Sequence, residues 1–148
     1  MASASFDHPP SKSSTSPSIS VVITTHNEGH ELLRTIKSIQ KNTQRLHEIL
    51  VVDDGSSDGH CVGLEALGIK VIRHDVREGV AISRHQATQM ATGNVVAYID
   101  AHQRVSRHCL DRLANVALEQ LAVVSVDACN FSFLATIAHG ADFRLCPQ

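Results

Sequence analysis

Residues 48–59 read EILVVDDGSSDG, and this stretch decides the fold. Glu48–Asp53 is an apolar run rich in β-branched residues, the composition of a buried strand. The turn-rich Asp53-Asp54-Gly55-Ser56-Ser57-Asp58-Gly59 closes it. The loop also imitates a calcium loop, because counting from Asp54 puts Asp58 at position 5, Gly59 at 6 and Glu65 at 12. Against that, position 3 is Ser56, a weaker ligand, position 8 is Cys61, and EILVV prefers strand to the entering helix such a loop needs. A strand ending in two carboxylates is the better reading.

Outward from this stretch, strands and helices alternate. On the N-terminal side Ile19–Thr25 (ISVVITT) is a second β-branched strand, and Glu31–Asn42 carries Leu32, Leu33, Ile36 and Ile39 on one helical stripe. On the C-terminal side a weaker helix covers Leu64 and Leu67, and Lys70–Arg73 is a short strand. A helix is expected from Val80 to Ala91, stopped by Gly93 at the C′ position, followed by a strand over Asn94–Asp100. Leu110, Leu113, Ala117 and Leu121 mark a further helix with Ser106 as N-cap, and Ala122–Val126 begins a fifth strand. The rest, to Gln148, has no clear period. This alternation predicts an α/β fold: a mainly parallel sheet with helices on both faces.

Bulk properties narrow the function. The 148 residues suit one domain, and 43% apolar content with 3% aromatics and no Trp implies a core of Val, Ile, Leu and Ala. Residues 1–18 hold seven serines and three prolines and almost nothing apolar, so they read as a flexible tail before a domain over 19–148. A net charge of −2 gives no field to attract nucleic acid. Cys61, Cys109, Cys129 and Cys146 form no CxxC pair and read as reduced thiols rather than a zinc site. There is no run of 18 apolar residues and no hydrophobic N-terminal signal region, so the expectation is a cytoplasmic protein without a transmembrane segment. Of ten histidines, only His26 and His102 stand at strand ends; His8, His30, His47, His60, His74, His85, His108 and His139 read as surface or loop residues.

Three strands end in polar residues: Thr24-Thr25-His26-Asn27-Glu28, Asp53-Asp54 and Asp100-Ala101-His102. In a parallel α/β sheet these ends share one edge, where ligands bind. Asp100 and His102 stand two apart, so in an extended segment both reach one point, and carboxylate plus imidazole suits Mn2+ or a similar divalent ion. On spacing alone, a polar strand end followed by a surface histidine is the commoner case.

Taken in order, VVITTHNE, LLRTIKSI, EILVVDDGSSDG, REGVAISRHQA and ATGNVVAYIDAH resemble the N-terminal half of family 2 glycosyltransferases of the GT-A fold, over about Ile19 to Phe133. Within that group the HNE, the REG and a DxH in place of DxD look most like the polypeptide N-acetylgalactosaminyltransferases. The resemblance implies a Rossmann-like nucleotide-sugar-binding half. It also implies transfer of a sugar from a UDP-sugar to an acceptor hydroxyl on a glycan, lipid or protein. Thr24 would line the uridine pocket, Asp54 would bond the uracil ring, and Arg77 would meet the phosphate or ribose side. Asp100 and His102 would hold Mn2+, or another divalent cation such as Mg2+, against the diphosphate, while Asp53, His26 and Glu28 position loops. No catalytic residue is carried over. The family's domain continues beyond the matched segments with the acceptor pocket and a further metal-ligand histidine, and the surroundings of His139 do not match that motif. The chain thus reads as a domain truncated at its C-terminus. The alternative is a nucleotide-sugar and metal-binding module with no transferase activity alone.

Overall fold

The structure is a computed structural model that describes residues 16–128 and 131–136, with side chains up to residue 124. Residues 1–15 of the tail expected over residues 1–18, two of the cysteines, His8 and His139 lie outside the described residues. Six strands form one sheet in the order β3-β2-β1-β4-β6-β5. β1 (Ile19–Thr25), β2 (Leu46–Asp54), β3 (Lys70–His74) and β4 (Val95–Asp100) are mutually parallel. Crossovers join them through α1 (His30–Asn42), a 3-10 turn at Leu64–Leu67, and α2 (Val80–Met90). Parallel neighbours need such crossovers, which is why the strand and helix periods alternate along the chain.

The β1 side chains divide by their period of two. Ile19, Val21 and Ile23 join α1 (Leu32, Ile36, Ile39) and α3 (Cys109–Gln120; Leu110, Ala114) in the larger core. Val22 joins Leu50, Val52, Val96 and Tyr98 against Ala87 of α2 on the other face. Helices therefore cover both faces. All of these side chains are buried, and each fully buried aliphatic contributes about 1.5–3 kcal/mol.

The structure departs from the expectations at several places. The fifth strand, β5 (Val124–Ala128), is not the next parallel strand: β6 (Phe131–Thr136) lies between it and β4, antiparallel to both. The Phe-Ser-Phe alternation of β6 is too short to stand out without its hairpin partner. Gly93 is not a left-handed helix cap; α2 stops at Met90 and Ala91 is already extended. Glycine is required there because a Cβ would sit 2.6 Å from the Ser18 carbonyl oxygen and 2.7 Å from Ser20 Oγ. The residue preceding α3 is His108, left-handed at φ 58°, rather than Ser106, and Leu121 leaves the apolar stripe as an exposed, left-handed C-cap. Ser18, read with the tail, is tied down: its N–H donates to Asn94 Oδ1 at 2.7 Å and its carbonyl receives Val95 N–H.

Candidate active site

The register of the parallel strands fixes what meets at the carboxyl edge: Thr24 is level with Asp100, Thr25 with Asp53, and Asp54 with His74. Thr24, Asp54, Arg77, Asp100 and His102 all line one open concavity, joined by His26, Glu28 and Val80. The three polar strand ends therefore converge on one rim.

The two adjacent aspartates do different work. Asp53 is fully buried; its Oδ1 accepts the Ser56 N–H at 2.8 Å and its other oxygen pairs with the Arg73 guanidinium. It braces the turn. Asp54 is 5% exposed. Its Oδ1 accepts from His74 Nδ1 (2.9 Å) and the Glu78 N–H (2.7 Å), and its Oδ2 from the Gly79 N–H (2.9 Å). A carboxylate has about four acceptor positions, so Asp54 retains one, gives one to His74 and spends two fixing the segment that carries Arg77. Burial works against its charge, but these donors prevail and hold its pKa below the ordinary carboxylate range.

His74 corrects the expectation of a surface or loop histidine. It is buried at the end of β3, with Asp54 Oδ1 at one ring nitrogen and Gln86 Oε1 at the other, 2.6 Å away. Two acceptors favour the imidazolium; the bond to Asp54, then that to Gln86, raises its pKa against the opposing effect of burial. No ligand-like spacing marked this residue, because its partners come from β2 and α2.

The first loop is stitched to the second. His26 Nδ1–H donates to the Asp54 carbonyl at 2.8 Å, and Asn27 Nδ2 donates to His26 Nε2 at 3.3 Å. The Gly29 and His60 N–H groups donate to Asp58, so this carboxylate of the loop that imitated a calcium site faces backbone donors. Gly55, at φ +71°, completes the packing: a Cβ there would lie 3.0 Å from Arg77 N. The glycine lets the Arg77 segment close over the Asp-Asp loop.

At the other end of the concavity β4 stops at Asp100 and a turn follows, so the pair is not simply two positions of an extended strand. Both side chains nevertheless reach the same rim. Asp100 Oδ1 accepts from Arg84 Nη2 at 3.1 Å, and His102 Nδ1 lies 3.3 Å from Glu28 Oε1. Arg84, which sequence reasoning missed, also stacks over Tyr98 at 5.5 Å from the ring centroid. Its one signal was helical spacing: Arg84 falls four residues after Val80, which lines the concavity.

Comparison with known proteins agrees with this architecture. The family model described as glycosyl transferase family 2 matches residues 20–139. Human polypeptide N-acetylgalactosaminyltransferase 16 is 37% identical over 142 residues, covering 90% of this chain and 25% of that protein. Drosophila melanogaster N-acetylgalactosaminyltransferase 7 is 36% identical over 121 residues, covering 74% of this chain and 20% of that protein. The chain thus spans about a quarter or less of these relatives. A mannosyltransferase from Pyrobaculum calidifontis, solved with GDP-Man and Mn2+, matches with a TM-score of 0.63 at 23% identity, over 70% of this chain and 33% of that one. TarS of S. aureus, solved with UDP-GlcNAc, matches at 0.60 and 24%, over 69% and 31%. These two likenesses speak for the fold. Among the described residues no helix is long and apolar enough to cross a membrane. The sheet order, the rim and the matched span carry one conclusion: the chain belongs to glycosyl transferase family 2.

Proposed function

We propose that this chain holds the donor of a glycosyltransferase, binding a UDP-sugar together with a divalent cation for transfer to an acceptor hydroxyl. The observation that carries the reading is the gathering of Thr24, Asp54, Arg77, Asp100 and His102 around one concavity. The donor set fits the metal. One carboxylate and one imidazole share the rim: the carboxylate suits Mn2+ or Mg2+, and the imidazole adds a nitrogen donor that transition-metal ions accept. Asp100 and His102 would hold it. When bound, such an ion neutralises the charge that develops on a departing diphosphate. Arg77, two-thirds exposed and anchored beside Asp54, offers a guanidinium fork to phosphate or ribose oxygens. Thr24 lines the uridine side, and the remaining acceptor position of Asp54 suits a pyrimidine ring N–H.

Calorimetric titration of UDP in the presence of Mn2+ tests the reading. Asp100→Ala and His102→Ala are each expected to weaken metal-dependent binding by ~100-fold, about 2.7 kcal/mol. Asp54→Ala is expected to weaken nucleotide binding with or without metal, since it frees the Arg77 segment. Parental affinity in all three variants overturns the assignment. A sugar-transfer assay on the same chain separates an active transferase from a module that only binds.

A further inference from the structure

The first loop carries a carboxylate, Glu28, that the reading above leaves unused. Glu28 sits two residues before α1, and its side chain crosses to the end of β4, where Oε1 stands 3.3 Å from His102 Nδ1. The contact joins residues 74 positions apart, and both side chains are partly open to the concavity, His102 at 51% and Glu28 at 32%. An acceptor at one ring nitrogen places the proton there and leaves the other nitrogen with its lone pair. In the neutral ring the Glu28 contact favours the proton on Nδ1 and the lone pair on Nε2.

We propose that Glu28 is a positioning residue for the cation seat: it fixes His102 in the Nδ1–H tautomer so that Nε2 is the ligating atom. The inference rests on the metal reading of Asp100 and His102. Free imidazoles in water prefer the opposite tautomer, so without Glu28 the ring must exchange protons and reorient before it can ligate. Carboxylates behind metal-bound histidines orient the ring, and losing one lowers metal affinity by roughly 10–100-fold. A competing purely structural role exists, because an acidic side chain just before a helix also favours the helix dipole. That role changes stability and leaves the tautomer alone.

Nitrogen-15 NMR of the imidazole rings in the metal-free chain distinguishes the two, at a pH about two units above the ordinary imidazole pKa. The parent is expected to show His102 with Nδ1 protonated and Nε2 bare. Glu28→Ala should shift the ring to Nε2–H, and Glu28→Gln, which keeps an acceptor, should retain the parental pattern. Mn2+ titration should follow suit, with Glu28→Ala weakened by ~10–100-fold and Glu28→Gln by much less. An Nε2–H tautomer in the parent, or an unchanged tautomer in Glu28→Ala, overturns the inference. Because the tautomer is read without metal, its failure is distinct from failure of the metal reading, which shows as parental Mn2+ affinity in Asp100→Ala.

Discussion

The two edges of the parallel sheet are both rich in polar residues, yet they are built on opposite terms. At the amino edge, Glu48 Oε1 accepts from Ser20 Oγ (2.6 Å), the Thr92 N–H (2.6 Å) and Thr92 Oγ1 (2.8 Å), while Oε2 pairs with Lys70 Nζ (2.6 Å). Ser20 Oγ in turn receives the Gly93 N–H. Every one of these groups is satisfied by the protein itself. At the carboxyl edge, Asp100, His102, Glu28 and Arg77 keep between a third and two-thirds of their side chains exposed. Their contacts are fewer, and they face a concavity. Residue type alone therefore does not mark a site. What marks it is how much hydrogen-bonding capacity the fold leaves unspent.

The comparison can be broken from either side. The largest effect is expected from Gly93→Ala at the amino edge, where the new Cβ meets the Ser18 carbonyl at 2.6 Å and Ser20 Oγ at 2.7 Å. Neither the carbonyl nor the strand backbone can yield cheaply, so thermal unfolding should show a loss of about 3 kcal/mol. Glu48→Ala comes next, at about 2 kcal/mol, because it strands the Ser20 hydroxyl and the Thr92 N–H. Burial opposes the charge of Glu48, but Lys70, Ser20 and Thr92 outweigh it and bring its pKa down to about 2. The sign follows. Depression of a carboxylate pKa stabilises the fold above the unfolded value, near 4.5, and that contribution fades as pH falls toward about 2. Glu48→Gln should flatten this acid limb, and an unchanged limb would contradict the role given to Glu48.

Smaller effects belong to the carboxyl edge. Gly55→Ala forces a side chain into a left-handed position and against Arg77 N at 3.0 Å, so it should cost about 1–2 kcal/mol and weaken UDP binding together. Arg84→Gln should leave stability within ~0.5 kcal/mol of the parent, since its ion pair with Asp100 is one-third exposed on both sides. Removing a guanidinium 3.1 Å from Asp100 should, however, tighten Mn2+ binding in the absence of nucleotide by ~3-fold. Calorimetry with metal alone checks it, and weaker binding would show that Arg84 orients the carboxylate rather than competing for it.

Much of this was legible in the chain. The runs ISVVITT and EILVVD, the Leu32–Ile39 stripe and NVVAYID read correctly because hydrophobic period and length agree there. What failed depended on distant partners. Gly93 looked like a helix stop, whereas its constraint is the backbone at Ser18, far away in sequence. His74 looked like a surface residue because Asp54 and Gln86, which hold its two ring nitrogens and raise its pKa, come from other elements. Strand β6 pairs only through its hairpin with β5 and with β4, and nothing local announces that order. At the rim, residue types were readable, but which acceptors were already spent was not. Asp54 is the instructive case: one of its contacts goes to His74 at the end of β3 and two go to the segment after it.

The central claim is that the carboxyl edge alone is left open for a metal-bound nucleotide. Sub-stoichiometric Mn2+ added with UDP to the nitrogen-15-labelled chain tests it most directly, because the paramagnetic ion broadens the amide signals nearest to it. Broadening should be strongest at residues 24–28, 77–80 and 100–102, while Ser20, Glu48 and Thr92 stay sharp. Signals lost first at Ser20, Glu48 and Thr92, or evenly over the whole chain, would contradict the account.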